Sequence, residues 1–294
     1  MGRWLVTGAC GALGQALRSI LRRQGEDIIE VDLHGEETKS YLRCDVTQRD
    51  ALEALLVMHR PTVVAHLAAT FTEDLDVAYT LNVLSSRFIL ETVAKHNLAT
   101  RVLLIGSAAA YGYVTPQDNP LPVTHRLAPV STYGLTKAWQ SQLVPFFATQ
   151  GLDVVEARIF NLKGPGLSPL LFVGRVQRQI EDVLARRAQI ISVGPLGSIR
   201  DYVSTQEAAT QLLAIGAGGR SGQVYHVASG KPVCMADLLG AMLADHGLDT
   251  SIVQSSEALP ANKKVDVPMV YADMTTTIPL LNRDQCTAAF NEAL

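Results

Sequence analysis

Three glycines, Gly8, Gly11 and Gly14, stand in TGACGALG (residues 7–14) between a short apolar run and an amphipathic one. This loop restricts the possible folds more than any other feature of the chain. Residues 3–6 (RWLV) read as a strand, and residues 13–23 as a helix with Leu13, Leu17, Ile20 and Leu21 on one face. Passing from strand to helix through such a loop gives each glycine a task. Gly8 makes the tight turn, Gly11 lets backbone approach a pyrophosphate, and Gly14 lets the helix pack close to the sheet. Backbone N–H groups and the positive end of the helix dipole would hold that pyrophosphate. An ordinary glycine-rich turn could carry the same residues. Asp32 separates the two readings, because it ends the second predicted strand about 20 residues on, where an acid can bond ribose hydroxyls. Dinucleotide binding is therefore expected. An acid there repels a 2′-phosphate and favours NAD(H), while Arg22, Arg23 or Lys39 folding over a phosphate would admit NADP(H).

The rest of the first half repeats the strand–helix rhythm. Residues 28–31, 41–44, 62–66 and 101–105 read as strands, and residues 51–58 and 77–96 as helices. A long helix over 133–150 leads into a strand over 154–159. Strands that are almost continuously apolar and alternate with helices predict a Rossmann-type α/β fold, a doubly wound parallel sheet covered on both faces. After Ile159 the rhythm changes. Residues 161–169 are rich in Gly, Pro and Ser, followed by helices over 173–187 and 236–246 and strands over 190–193 and 224–227. The expected division is a dinucleotide-binding domain over 1–161 and a smaller substrate-binding lobe over 162–294, interleaved with the last strands of the sheet.

Composition narrows the function classes. Hydrophobic residues make up 48% and charged residues 18%, enough apolar chain for a sizeable core. The formal net charge of −3, without long Lys/Arg runs, provides no footprint for nucleic acid or an anionic membrane. Cys10, Cys44, Cys234 and Cys286 are scattered, without metal-ligand spacing, so reduced and mostly buried thiols are expected and no metal. The opening residues lack the pattern of a signal peptide, and no apolar stretch is long enough to span a bilayer. A cytoplasmic location is expected.

Tyr133 and Lys137 stand at i and i+4, on one face of a helix. An ammonium beside a phenol favours the phenolate, so such a pair can bring a tyrosine's proton exchange nearer neutrality. A solvent-facing Tyr–Lys pair has the same spacing. Ser107 strengthens the catalytic reading, since it lies just past the buried strand over 101–105, at the carboxyl end of the sheet, where ligands bind in open α/β folds. Its hydroxyl could hold a substrate carbonyl, or merely cap a helix. Asn82, an unhelpful residue mid-helix, could hold a proton-relay water or be an exposed polar residue. Asp45, after the third strand, could bond an adenine amino group or cap the next helix.

These pieces together resemble the extended short-chain dehydrogenase/reductase family. The matches are TGxxGxxG at residues 7–14, Asp32, Asp45-Val46, His66-Leu67-Ala68-Ala69, Asn82-Val83, Ser107 and Tyr133-x-x-x-Lys137. RIFNLKGPG (158–166), RDYV (200–203) and YHVASG (225–230) extend the resemblance through most of the chain. It implies that Thr7, Gly8, Gly11, Ala12, Leu13, Gly14, Asp32, Asp45, Val46, Leu67, Ala68, Ala69, Tyr133 and Lys137 bind the dinucleotide. It implies Ser107, Tyr133, Lys137 and Asn82 as the catalytic set. The nucleotide-sugar branch is the best match, with Ser107, Asn161 and Arg200 on the substrate and the last two at its diphosphate. The stretch from Phe172 to Asp201 is similar to reductases of GDP-4-keto-6-deoxy-hexoses. Three departures stand out. Ala108 and Ala109 replace the Asp-Glu pair of the dehydratase branch, Ser85-Ser86 stand where Gly-Thr is common, and the tail after Lys264 lacks a Leu-Gly-Trp ending.

The resemblance implies reduction of the C4 ketone of a GDP- or dTDP-linked 4-keto-6-deoxy sugar. Alternatives are a 4-epimerase with tightly held NAD⁺, a dehydrogenase of a free sugar or sugar acid, and a non-catalytic dinucleotide sensor. Retention of Ser107, Tyr133 and Lys137 together speaks against the sensor. The helices over 77–96 and 133–150 carry wide apolar sets (Val77, Leu81, Leu84, Phe88 and Val93; Leu143, Val144, Phe146 and Phe147). Family members often pair these helices between subunits, so a homodimer is expected.

Overall fold

The computed structural model describes residues 2–35, 37–256 and 267–281. In chain order the first half holds β1 (Arg3–Thr7), α1 (Ala12–Arg23), β2 (Asp27–Asp32), β3 (Tyr41–Arg43), α2 (Arg49–His59) and β4 (Val63–His66). There follow α3 (Leu75–Tyr79), α4 (Ser85–Lys95), β5 (Arg101–Ser107), α5 (Thr132–Ala148) and β6 (Val154–Ile159). The second half adds β7 (Asn161–Lys163), α6 (Phe172–Leu184), β8 (Ile191–Val193), β9 (Ile199–Ser204), α7 (Thr205–Gly218) and β10 (Val224–Val227). It continues with β11 (Pro232–Cys234), α8 (Met235–Ala244), β12 (Val253–Ser255) and β13 (Met269–Val270).

Seven strands form one sheet in the order β10-β6-β5-β4-β1-β2-β3, and every neighbouring pair is parallel. This is the doubly wound Rossmann-type arrangement expected. The winding reverses between β1 and β4, opening a crevice at their carboxyl ends. Side chains alternate between two cores. Trp4 and Val6 of β1, Leu103 and Ile105 of β5, and Val155 and Ala157 of β6 join the core under α1 and α7. Leu5, Val102, Leu104 and Val154 join the opposite core under α2, α4 and α5. Burial on both faces explains why these strands read as unbroken apolar runs.

The helix expected over 77–96 is realised as α3 and α4 joined by a π-helical turn, Thr80–Leu84, with Asn82 at its centre. Helix α7 lacked a one-sided apolar stripe in the sequence because ten of its residues are buried. Its Ser204–Glu207 capping box was the readable signal. Helix α7 packs on α1, and β10 pairs with β6, so residues 205–227 return to the main sheet. The lobe outside the main sheet centres on β9, which pairs with β7, β11 and β13; β8 and β12 form a separate pair.

Cys10 is exposed, and Cys44 and Cys234 are half-buried; all three are free thiols. This departs from the expectation of mostly buried cysteines, because Cys10 occupies the exposed tip of the glycine loop. Cys286 and Lys264 lie outside the described residues. Among the described residues, no group of three or more His, Cys, Asp or Glu could hold a metal, and no helix is long and apolar enough to cross a membrane.

Candidate active site

The carboxyl ends of β1, β4 and β5 open into a cavity of about 710 Å³ whose far wall belongs to the β9 lobe. Gly8, Gly11, Ala12, Leu13 and Gly14 line one end, with Leu67 and Ala69 beside them. Gly8 has φ 68°, and a Cβ there would meet the Ala68 backbone N at 2.8 Å. A Cβ on Gly14 would overlap the Gly8 carbonyl. Gly11 caps α1 without a side-chain hydrogen bond, and the first turn of α1 carries no acid. The helix therefore presents a bare, positively polarised N-terminus to the cavity. That geometry fits a dinucleotide pyrophosphate. Thr7 lies beneath this loop, its Oγ1 accepting the Ala68 N–H at 3.2 Å and lying 2.8 Å from His66 Nδ1.

Asp32 stands at the end of β2, as expected, but braces the loop. Its Oδ2 accepts the Cys10 N–H and its Oδ1 the Leu33 N–H, both at 2.8 Å. Arg22 pairs, together with Arg18, with the buried Glu30 of β2. Asp45 accepts from the Thr47 N–H at 2.9 Å and the Thr47 hydroxyl at 2.7 Å, bonds that lower its pKa. It forms a local turn and is not the cap of α2, which begins after Gln48. Val46 is buried in the second core. Thr7, Asp32, Asp45, Val46, Ala68 and Asn82 lie outside the cavity lining, whereas Ser107, Tyr133, Lys137, Asn161 and Arg200 belong to it.

Ser107, the last residue of β5, caps a short 3-10 turn (Ala108–Tyr111) through the Ala109 N–H. The same hydroxyl is near enough to the Tyr133 phenol to favour its ionised form. Helix α5 starts at a Ser131 cap, which brings Tyr133 to the cavity floor one turn above Lys137. Burial raises the Tyr133 phenol to about 12, with the nearby Ser107 hydroxyl pulling the other way. The expected lowering by Lys137 is absent from this balance. The Lys137 Nζ lies 5.8 Å from the Tyr133 ring centre and donates to the Ile105 carbonyl at 2.8 Å and to Gln140 Oε1 at 3.0 Å. Burial lowers the ammonium itself to about 8, and the Glu156 carboxylate opposes the fall.

Asn82 is fully buried. Its Oδ1 accepts the Thr70 N–H at 2.9 Å, and its Nδ2 donates to the Thr70 carbonyl at 3.1 Å and to Thr136 Oγ1 at 2.9 Å. It thus clamps the segment carrying Phe71, whose ring lies 4.5 Å from that of Tyr133. Phe71 had no sequence signal; its place depends on the Asn82 clamp.

Across the cavity, Asn161 donates to the Asp201 carbonyl at 3.0 Å. Arg200 belongs to β9, held between Val233 and Val270. The nearby carboxylates of Asp201 and Glu207 are engaged elsewhere. The Asp201 carboxylate accepts from the Ser229, Gly230 and Ala272 backbone and from the Ser229 hydroxyl. The Glu207 carboxylate closes the α7 capping box. Leu167, Phe172 and Tyr202 complete this wall. Among the described residues that line the cavity, none is Asp, Glu or His, and the cations are Lys137 and Arg200.

A model of the NAD dependent epimerase/dehydratase family matches residues 4–228. The chain belongs to that family. GDP-6-deoxy-D-mannose reductase of Pseudomonas aeruginosa is 28% identical over 221 residues, 72% of each chain. A dTDP-glucose 4,6-dehydratase of an Actinoplanes species is 28% identical over 219 residues, covering 72% of this chain and 65% of the dehydratase's own length. Among solved structures, MoeE5 in complex with UDP-glucose and NAD is similar at a TM-score of 0.81 and 26% identity, covering 95% of this chain and 92% of that one. RMD from Pseudomonas aeruginosa, complexed with NADPH, has a TM-score of 0.79 at 23% identity, covering 96% of this chain and 92% of that one, a likeness of fold.

Proposed function

We propose that this member of the family reduces the C4 ketone of a GDP- or dTDP-linked 4-keto-6-deoxy sugar. The observation that carries the reading is the proton inventory of the cavity. Water elimination needs an acid and a base at the substrate, yet Ala108 and Ala109 line the wall where the dehydratase branch has its Asp-Glu pair, and the described lining holds no carboxylate. Ketone reduction needs one proton donor. Tyr133, protonated at neutral pH with a pKa near 12, is that donor.

The glycine loop and Asp32 hold the dinucleotide, with NAD(H) preferred, and when bound it supplies the hydride. Ser107 donates a hydrogen bond to the ketone oxygen, and Tyr133 delivers its proton there as charge develops. Positioned proton transfer of this kind contributes about 10²–10⁴ in rate. Lys137 keeps a positive charge beneath the phenol. Arg200, with Asn161 beside it, grips the diphosphate, for which a guanidinium fork is suited. Asn82 acts as a positioning residue, through Thr70, on the Phe71–Tyr133 contact. Exposed Val77, Tyr79, Trp139 and Phe146 on α3 and α5 support a homodimer, which light scattering at micromolar concentration should detect.

The test is loss of NADH absorbance with GDP- and dTDP-linked 4-keto-6-deoxy-hexoses. No oxidation with either, under conditions where the protein is folded, overturns the reductase reading. The epimerase reading is favoured by a relative, UDP-glucose 4-epimerase of Mycolicibacterium smegmatis, 27% identical over 246 residues. It predicts turnover of a UDP-hexose without added cofactor.

A further inference from the structure

Strand β6 carries an oddity that the reaction above does not use. All six of its residues, Val154–Ile159, are buried. The three facing α1 and α7 are apolar, while Glu156 and Arg158 occupy the face toward α5. Burying a carboxylate is costly unless it is fully bonded, and this one is. Glu156 Oε1 accepts from Arg158 Nε at 2.9 Å, and Oε2 accepts from the Ser141 hydroxyl. Arg158 also donates to Ser141 Oγ at 2.8 Å and to the Tyr111 hydroxyl at 2.9 Å. Tyr111 in turn lies 2.5 Å from His226 Nε2.

The position of this cluster is informative. Tyr133, Lys137 and Ser141 are spaced i, i+4, i+8, one stripe of α5. The stripe runs from the phenol through the ammonium to the hydroxyl that holds Glu156. Strand β5 makes room for the carboxylate at Gly106, where a Cβ would overlap Glu156 Oε1. Gly106 immediately precedes Ser107, so the strand end that supplies the carbonyl-binding hydroxyl also admits the carboxylate.

We propose that Glu156 is a positioning residue for the site, a buried carboxylate that Gly106 admits and Ser141 and Arg158 hold so that Lys137 remains a cation. The inference rests on the reading of Lys137 as part of the catalytic set. Other titratable groups around Lys137 do not duplicate the effect. On α5 Tyr133 is a neutral phenol, and from β4 His66 is held neutral by burial, at about 3. Tyr111 is raised by burial, and His226 of β10 is lowered to about 4, so both remain neutral. Arg158, the remaining charge, is a cation and repels Lys137. Glu156 is the anion in this set. Its charge opposes the desolvation that lowers Lys137 to about 8.

The experiment reads the Lys137 ammonium directly, through the ¹³Cε shift of selectively lysine-labelled protein, with the resonance assigned by its loss in Lys137→Arg. No substrate is required. Glu156→Gln should lower the titration midpoint by about one unit or more, and Glu156→Asp should restore most of it. If Glu156→Gln does not fold, Glu156→Gln combined with Arg158→Met is compared with Arg158→Met alone, so that the loss of the repelling guanidinium is common to both, and the same downward shift is expected between them. In turnover, the alkaline limb of kcat should move down by the same amount while kcat below both midpoints is kept. A folded variant whose Lys137 midpoint matches that of the wild type overturns the proposal. A shifted midpoint supports it even if Lys137→Met retains activity, an outcome that would instead overturn the catalytic reading of Lys137.

Discussion

The sheet-side and lobe-side walls of the cavity are built by different means. On the sheet side, Ser107, Tyr133 and Lys137 come from adjacent elements, β5 and α5, and each is tied down by buried neighbours. Lys137 reaches the Ile105 carbonyl and Gln140, and Gln140 reaches Ser86 on α4 at 2.7 Å. On the lobe side, β9 is joined by β7, β11 and β13, elements spread over more than 100 residues of chain. One carboxylate, Asp201, gathers the Ser229–Gly230 turn and Ala272 around it. The contrast suits the chemistry. On the proposed function, the proton-transfer set must be rigid to a fraction of an ångström, whereas a wall that selects the nucleotide sugar can vary without disturbing it.

Removing the donor from the rigid wall should have the largest effect. Tyr133→Phe is expected to lower kcat by about 10²–10⁴ and leave the NADH dissociation constant unchanged. A variant with wild-type kcat would break the claim that proton transfer resides on this wall. Asp201→Ala attacks the other wall. It strands three backbone donors and a hydroxyl, each costing about 1–3 kcal/mol if left without a partner. With water rescuing some of them, about 3 kcal/mol of stability should be lost, read by denaturant titration. NADH should still bind at the permissive temperature. Loss of NADH binding in a folded Asp201→Ala protein would show that the walls are not independent.

The same contrast accounts for what was legible in the sequence. The glycine loop, Asp32, Ser107 and the Tyr133–Lys137 pair each sit at a strand end or on one helix face, so local spacing reveals them. The strands of the main sheet were readable because burial on both faces made them apolar runs. Helix α7 was hidden for the related reason that burial all round erased its stripe. Nothing local marked Phe71, which owes its place to Asn82 eleven residues on, or Asp201, whose partners lie 28 to 71 residues away. Nor did local spacing reveal the partners of Arg22 and Asp45, which are Glu30 and Thr47.

Arg200→Lys sharpens the comparison on the lobe side. An ammonium keeps the charge but loses the fork that bonds two phosphate oxygens at once. Losing one charge-assisted bond of about 1.5–3 kcal/mol should weaken nucleotide-sugar binding at least tenfold in calorimetry. NADH affinity should not change, since the glycine loop lies at the other end of the cavity. Equal sugar-nucleotide affinity for variant and wild type would remove Arg200 from the diphosphate and favour a free sugar as substrate.

The smallest effect is expected at Asp32, where the ribose reading and the bracing of the loop must be separated. Asp32→Ala deletes an acceptor at a partly exposed position, where one hydrogen bond nets about 1 kcal/mol, so the KM for NADH should rise about fivefold. Discrimination against NADPH should relax, because the carboxylate that repels a 2′-phosphate is gone. The substitution also frees the Cys10 and Leu33 N–H groups that Asp32 holds at 2.8 Å, which could loosen the loop for both cofactors. Asp32→Asn separates the two effects. Its amide oxygen can still accept the Cys10 N–H, while the negative charge is lost. If charge sets the preference, Asp32→Asn should relax NADPH discrimination with little change in KM for NADH. If bracing is the whole role of Asp32, Asn should leave both cofactors unchanged and Ala should weaken them equally. A wild-type protein that already prefers NADPH would defeat the ribose reading before either variant is made.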